Sequence, residues 1–296
     1  MADEITILDG GMGQELYRRG GKPASPLWSS QVMLDNPELV IELHRDYINA
    51  GAEIISLNSY SATPERLERD AEISLFEPLQ KAALQAAQTA RQQAGKSIKI
   101  AGCLPPLVAS YHHELVPNDD QCLSSYKQIV ELQAPGVDLF IGETLSTVRE
   151  AKIVCDAALY TGKPVWISFT VSDTDGTRLR SGESLQSGID VALKSGAQAV
   201  MVNCSIPESV EQSMTILKKL NVRFGGLANG FTSISALKAG GTVDTLKQRD
   251  DLGPSDYADH AMKWVEHGAT LIGGCCEVGP KHIAEIRNRV SLVQEY

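Results

Sequence analysis

The chain alternates between two hydrophobic patterns along its whole length. One is a short apolar run bounded by Gly, Asn or charged residues, which is typical of a buried strand. The other is a longer segment with apolar residues three and four positions apart, which is typical of an amphipathic helix. The predicted strands are 5–8, 53–57, 98–104, 137–141, 164–171, 199–202, 222–228 and 270–272. The predicted helices are 37–50, 64–94, 119–133, 147–160, 184–195, 207–220, 257–267 and a last one opened by Pro280.

Two segments depart from this simple alternation. The helix over 64–94 contains Pro78, which has no N–H and therefore predicts a division into two pieces around that residue. The stretch 229–254 has no regular period and predicts a long irregular connection.

Eight strand–helix units in one order predict a parallel sheet, because parallel neighbours need a helical crossover. Eight units within 296 residues favour a closed (β/α)8 TIM barrel of the α/β class, with 1–296 forming one domain. The main alternative is an open doubly wound sheet. Its G-x-G-x-x-G phosphate motif is missing after the first strand, which favours the barrel.

Composition narrows the function classes. The net charge of −10 argues against nucleic-acid binding, which needs a basic surface. No apolar run is long enough to span a bilayer, and residues 1–4 lack the basic start of a signal peptide, so we expect a cytoplasmic protein without a membrane partner. Six cysteines are too few for a disulfide scaffold in a chain of this length. The oligomeric state is not readable from the sequence.

Polar residues with chemical potential follow the predicted strands. Because active sites of (β/α)8 barrels lie at the C-terminal ends of the strands, we expect these residues to gather at one rim. They are Asp9, Asn58, Ser59, Glu143, Thr144, Cys204, Cys275 and Cys276. Asp9 and Glu143 are equally well interpreted as helix-capping or ion-paired carboxylates.

The most unusual stretch is Gly273-Gly274-Cys275-Cys276. Neighbouring side chains on a strand point to opposite faces, so two sulfurs reach one target only if the backbone bends, and glycine reaches conformations that other residues adopt at a cost. With Cys204, the pair forms three soft ligands that favour Zn²⁺ and leave a fourth position open, as catalytic zinc sites do. A redox pair of Cys275 and Cys276 is the alternative, although a disulfide between adjacent residues is strained.

The remaining cysteines have a simpler interpretation. Cys103, Cys122 and Cys155 are expected to be small buried side chains without a role in the site. Trp28 is, from its residue type alone, equally compatible with core packing.

At this point the motifs resemble the homocysteine S-methyltransferases, in one order from about residue 5 to 290. This family includes S-methylmethionine- and betaine-dependent enzymes and the homocysteine domain of methionine synthase. The matching motifs are Asp9-Gly-Gly-Met-Gly13, Pro26-Leu-Trp28, His44, Gly51-Ala-Glu53, Asn58-Ser-Tyr60, Glu143-Thr144, Asn203-Cys204 and Gly273-Gly-Cys-Cys276.

The resemblance implies a zinc-dependent methyltransferase with a (β/α)8 fold. It implies that Cys204, Cys275 and Cys276 hold Zn²⁺ and that the metal activates the thiol of homocysteine. The substrate residues that it implies are Asp9, Asn58, Ser59, Glu143 and Thr144, with Trp28 near a small methyl donor. The Pro-Leu-Trp motif is most similar to the S-methylmethionine branch.

Two rim loops differ from the family pattern, namely 104–107 after the third strand and 228–231 after the seventh. Two rival functions therefore stay open. One is a zinc-binding barrel without methyl transfer, and the other is a thiol redox protein that uses Cys275 and Cys276.

Overall fold

The computed structural model describes residues 4–20, 27 and 29–294. Its sheet has eight strands that pair in parallel. They are β1 (Thr6–Ile7), β2 (Ile54–Ser56), β3 (Lys99–Leu104), β4 (Leu139–Leu145), β5 (Val165–Phe169), β6 (Ala199–Asn203), β7 (Arg223–Leu227) and β8 (Leu271–Ile272). Each lies within or overlaps a predicted strand.

The sheet closes on itself. The two terminal strands pair in parallel, with Thr6 opposite Leu271, and Leu8 forms a parallel bridge to Ile54 that joins β1 to β2. No free edge is left between the first and second strands, so the (β/α)8 barrel prediction is confirmed and the open-sheet alternative is wrong.

Helices surround the barrel, and they include two that were not predicted, α1 and α2, between β1 and the first predicted helix. The helices are α1 (Met12–Gly20), α2 (Ser29–Asp35), α3 (Pro37–Ala50), α4 (Pro64–Asp70), α5 (Phe76–Ala94), α6 (Asp119–Gln133), α7 (Val148–Ala158), α8 (Leu185–Lys194), α9 (Pro207–Leu217), α10 (Pro254–Glu266) and α11 (Pro280–Gln294). Among the residues that the structure describes, no helix combines the length and the apolar character needed to cross a membrane.

The break in the segment 64–94 lies elsewhere than predicted. It falls between α4 and α5, where a 3-10 turn covers Ile73–Leu75. Pro78 instead lies in the first turn of α5. Proline is tolerated there because the first N–H groups of a helix have no partner within the helix.

Alternating strand residues divide the core into two layers. Along β6, the side chains of Val200 and Val202 point outward and pack against the helices in the larger cluster. Their neighbours Ala199 and Met201 belong to a smaller cluster inside the barrel. This inner cluster fills the barrel interior, so polar chemistry is left to the rim at the ends of the strands.

Candidate functional site

An open pocket lies at the C-terminal ends of the strands. Six of the residues predicted for the site line it, namely Asp9, Asn58, Glu143, Cys204, Cys275 and Cys276. Ser59 and Thr144 are buried and do not line it. Trp28 lies outside the described residues.

Three cysteines meet on one side of this pocket. Cys204 follows β6 directly, and Cys275 and Cys276 follow β8. Their sulfur atoms all lie within 4.8 Å of one another. The sulfurs of Cys204 and Cys275 are paired as a disulfide, and Cys276 is a free thiol. The redox alternative uses Cys275 and Cys276 as the pair. In this structure the disulfide joins Cys275 to Cys204 instead.

The donor set fits a metal ion once the thiols are reduced. A tetrahedral ion with metal–sulfur bonds of about 2.3 Å separates its sulfur ligands by about 3.8 Å. The Sγ atoms of Cys204 and Cys276 are 3.8 Å apart. These three cysteines could therefore hold a metal without rearrangement of the strands.

The glycines before the cysteine pair have a different role from the predicted one. Neither Gly273 nor Gly274 has positive φ. A Cβ on Gly274 would lie 2.1 Å from Cγ1 of Val278, and one on Gly11 would lie 2.6 Å from the carbonyl oxygen of Cys275. Glycine is therefore needed at these positions because the loops after β1 and β8 pack closely, and not because the backbone adopts a left-handed conformation.

Left-handed backbone occurs instead at four residues other than glycine around the rim. Cys204 has φ of 51° and Thr144 has φ of 59°, while Tyr111 and Glu277 have φ of 69° and 66°. Such conformations are costly and persist where the surrounding structure imposes them. Three of these four residues belong to the cysteine cluster or adjoin it. They are Cys204, its hydrogen-bond partner Tyr111, and Glu277, which follows Cys276.

Tyr111 is a site residue that the sequence did not reveal. Its hydroxyl donates a hydrogen bond to Sγ of Cys204 at 3.2 Å. The guanidinium of Arg180 lies 5.0 Å from the centre of its ring, and Arg180 is held in turn by Asp173 at 2.9 Å. Tyr111 lies in the irregular loop after β3, where no hydrophobic period predicts the direction of a side chain.

Asp9 and Glu143 are the acidic groups of the pocket. Burial, followed by the proximity of Glu143, raises the pKa of Asp9 to about 8, although the backbone N–H of Ser56 donates to Oδ2 of Asp9 at 2.8 Å. Removal from bulk water raises the pKa of Glu143 to about 7. Neither pairs with a cation among the described residues, which argues against the ion-pair alternative for both.

Asn58 lines the pocket, and Ser59 and Thr144 lie behind its surface. The hydroxyl of Ser59 accepts a hydrogen bond from Gln133, and Thr144 exchanges two hydrogen bonds of 2.9 Å with the side chain of Asn203. The side-chain amide of Asn58 donates to the carbonyl of Ser29 at 3.1 Å. Substrate binding by Ser59 and Thr144 stays a prediction. The structure places them behind the pocket surface.

The other three cysteines are buried as expected, but Cys103 is hydrogen-bonded to the side chain of Glu143 and so adjoins the site. Cys103, Cys122 and Cys155 are buried and carry free thiols. The last two belong to α6 and α7, on the outer layer of the molecule.

Fold and site together define a (β/α)8 barrel with three cysteines that could hold a metal, and with a buried and a half-buried carboxylate, at its C-terminal rim. The family described as homocysteine S-methyltransferase matches residues 6–290. The chain belongs to this family, and the resemblance seen in the sequence is confirmed.

Curated relatives cover nearly the whole chain. The homocysteine S-methyltransferase of Escherichia coli (strain K12) is 30% identical over 311 residues, which cover 97% of this chain and 95% of the relative. Homocysteine S-methyltransferase 2 of Arabidopsis thaliana is 29% identical, with 96% and 92% covered. The selenocysteine methyltransferase of Astragalus bisulcatus is 26% identical, again with 96% and 92% covered.

Solved structures agree with this assignment. The homocysteine methyltransferase MmuM from Escherichia coli in its metallated form has a TM-score of 0.81 at 27% identity, with 97% of this chain and 96% of the other covered. Its oxidised form has a TM-score of 0.77 at 26% identity, with 96% of each chain covered. The prediction of an enzyme of this family is therefore confirmed, and its three rim cysteines could hold a metal ion.

Proposed function

We propose that this protein transfers a methyl group from a sulfonium or ammonium donor, with S-methylmethionine favoured, to the thiol of L-homocysteine, giving methionine. The observation that carries the proposal is the meeting of three cysteines and two carboxylates, those of Asp9 and Glu143, in one pocket. The cysteines provide a place for a thiol substrate, and the carboxylates provide partners for its ammonium group.

We assign Zn²⁺ as the metal of Cys204, Cys275 and Cys276, because three thiolates are a soft donor set that suits zinc. When bound, zinc lowers the pKa of a thiol in its open position, so that the nucleophile exists at neutral pH. Two of the three cysteines are oxidised as a pair here, so reducing conditions are needed. A cytoplasmic location would supply them.

Asp9 and Glu143 bind and orient homocysteine in this proposal. Both carboxylates are shielded from bulk water, which disfavours their charged forms. An ammonium group between them offsets this cost and lowers both pKa values, because an opposite charge favours ionisation. Asn58, on the pocket wall, limits the positions that the amino-acid end can take.

Methyl transfer is then a nucleophilic displacement at the methyl carbon of the donor. The substrate thiolate forms a new sulfur–carbon bond to the methyl group, and the bond from that methyl to the donor's sulfonium sulfur breaks. The electron pair stays on the donor, which leaves as a neutral thioether. The thiol proton of homocysteine is released to solvent on binding.

The test is the variant Cys204→Ala, compared with Cys155→Ala, which removes a buried cysteine from the helix layer. Both are purified under reducing conditions and loaded with zinc. We expect Cys204→Ala to lose metal and more than about 100-fold in methionine formation, because even residues that only support metal ligands are worth about 10- to 100-fold. Cys155→Ala should keep both.

The donor is identified by assaying S-methylmethionine, S-adenosylmethionine, betaine, and a methylated folate or cobalamin. Full zinc and full activity in Cys204→Ala contradict the metal site. Bound zinc with homocysteine-dependent thermal stabilisation, but no turnover with any donor, would identify a barrel that only binds. Protein without zinc and with a redox-dependent thiol count would support the redox alternative.

A further inference from the structure

Arg66, on α4, is a buried cation without a carboxylate partner. Only 4% of the surface of Arg66 is exposed. Its Nε and Nη2 atoms donate to the carbonyl of Pro106 at 3.3 and 3.1 Å, and Nη2 also reaches the hydroxyl of Ser110 at 3.4 Å. No described residue pairs with Nη1, and no described carboxylate lies within ion-pair distance. An unpaired buried charge is costly, so such a group points to an anionic ligand.

Arg66 lines a second, smaller pocket that carries more positive charge. Its other charged side chains are Arg69 and Lys238, and segment 239–241 completes its wall. Arg69 is neutralised by Asp70 at 2.6 Å. Lys238 is exposed and forms no ion pair with a described residue. Arg66 and Lys238 therefore have no carboxylate of a described residue within ion-pair distance, although Tyr60 and Asp70 offset part of the charge of Arg66.

This second pocket adjoins the pocket that contains the cysteines. Ser110 lines both pockets. Its hydroxyl is 2.8 Å from the hydroxyl of Tyr60, another residue of the cysteine pocket, and the guanidinium of Arg66 lies 5.4 Å from the centre of the Tyr60 ring. The two pockets thus share Ser110, and Tyr60 lies beside it on the side of the cysteine pocket.

The charge distribution selects the orientation of a ligand with a positive and a negative end. The cysteine pocket contains Asp9 and Glu143, whose charged forms attract a cation and repel a carboxylate. The pocket of Arg66 and Lys238 does the opposite. A donor molecule with a sulfonium at one end and a carboxylate at the other is therefore directed with its methyl group toward the cysteines.

We propose that Arg66 and Lys238 bind the carboxylate of an amino-acid methyl donor. This rests on the proposed function and names the chemical class of the second substrate. Homocysteine also has a carboxylate. Its ammonium group, however, is assigned to Asp9 and Glu143, and Arg66 does not line the pocket in which they lie.

The experiment compares two donors in the zinc-loaded full chain. S-methylmethionine carries the carboxylate, and trimethylsulfonium offers the same kind of methyl group without one. We expect Arg66→Gln and Lys238→Glu to raise KM for S-methylmethionine about 10- to 100-fold, the range for losing a hydrogen bond to a charged group. Zinc content, KM for homocysteine and turnover of trimethylsulfonium should stay unchanged.

Lys247→Glu is the matched control, because it reverses an exposed charge on the same connection between β7 and α10. It should leave every value unchanged. If the variants lose as much activity with trimethylsulfonium as with S-methylmethionine, the two residues are structural and the proposal is wrong. If KM for homocysteine rises instead, the pocket binds the other carboxylate.

A protein that turns over no donor at all would contradict the proposed function and not the pocket. In that case calorimetric titration with S-methylmethionine decides. Weaker binding to Lys238→Glu than to the wild type and to Lys247→Glu supports the basic pocket. Equal binding to all three overturns it.

Discussion

Tyr111 contacts the sulfur of Cys204, one of the three cysteines that could hold a metal. Its hydroxyl donates to Cys204 at 3.2 Å, and its backbone is held at φ of 69°. A hydrogen bond to a thiolate reduces the charge on sulfur and fixes its direction, so residues of this kind tune metal affinity. The strained conformation is explained if the loop after β3 is built to bring this hydroxyl to the sulfur.

We expect Tyr111→Phe to weaken zinc affinity about 10-fold, the lower end of the range for a residue that supports a ligand. Competition with a chromogenic chelator measures this without any turnover. Tyr160→Phe, at a tyrosine that is 60% exposed on the far side of α7, is the control. Unchanged affinity in Tyr111→Phe would show that the contact with Cys204 has no effect on the metal.

At the level of the elements, the loop after β8 depends on close packing. The strand itself is only Leu271–Ile272, and the segment that follows it must fit against Val278 and the loop after β1. The absence of a side chain at Gly274 is what permits this fit. The two cysteines are therefore positioned by packing between two loops.

Gly274→Ala should destabilise the protein by about 1–3 kcal/mol, the usual cost of overpacking, and should also lower its zinc content. The reason is the 2.1 Å approach of the new methyl group to Cγ1 of Val278. Urea unfolding and metal analysis measure the two effects. Gly20→Ala, where the nearest atom would be 3.8 Å away, is the control. A variant as stable and as rich in zinc as the wild type would contradict the packing argument.

For the whole molecule, the buried carboxylates predict how stability depends on pH. Asp9 titrates near 3.8 when unfolded and at about 8 in the folded, substrate-free protein. Because the folded pKa is the higher one, the unfolded state loses this proton first as the pH rises. The contribution of Asp9 is therefore fully present below about pH 4 and is lost progressively up to about pH 8. Glu143 acts in the same direction, up to about pH 7.

We expect the free energy of unfolding of Asp9→Asn to fall less than that of the wild type between pH 5 and 8, because the asparagine does not titrate. Chemical unfolding under reducing conditions at several pH values measures this. Asp190→Asn, at an exposed position on α8, should follow the wild type. Parallel curves for Asp9→Asn and the wild type would show that the carboxylate ionises normally in the folded protein.

Much of the fold was predictable because it depends on local periodicity. All eight strands were located, since each is a short apolar run that ends at a polar residue, a glycine or a proline. The helices α1 and α2 were missed, because they follow β1 in a segment rich in Gly, Ser and charged residues. Pro78 was predicted to break the helix. Proline does not break a helix when it lies in the first turn, and the sequence did not show that α5 begins only two residues before it.

The sequence by itself determined the barrel and the three cysteines, because parallel strands bring their C-terminal ends to one rim whatever the loops do. Only the tertiary structure decided which side chains approach those sulfurs. Tyr111 reaches Cys204 from an irregular loop, and Arg66 lines the neighbouring pocket from the short helix α4. In neither segment does a hydrophobic period relate the position of a residue to the direction of its side chain. It also decided the role of the glycines after β8, because close contact between two distant loops leaves no mark on the pattern of either one.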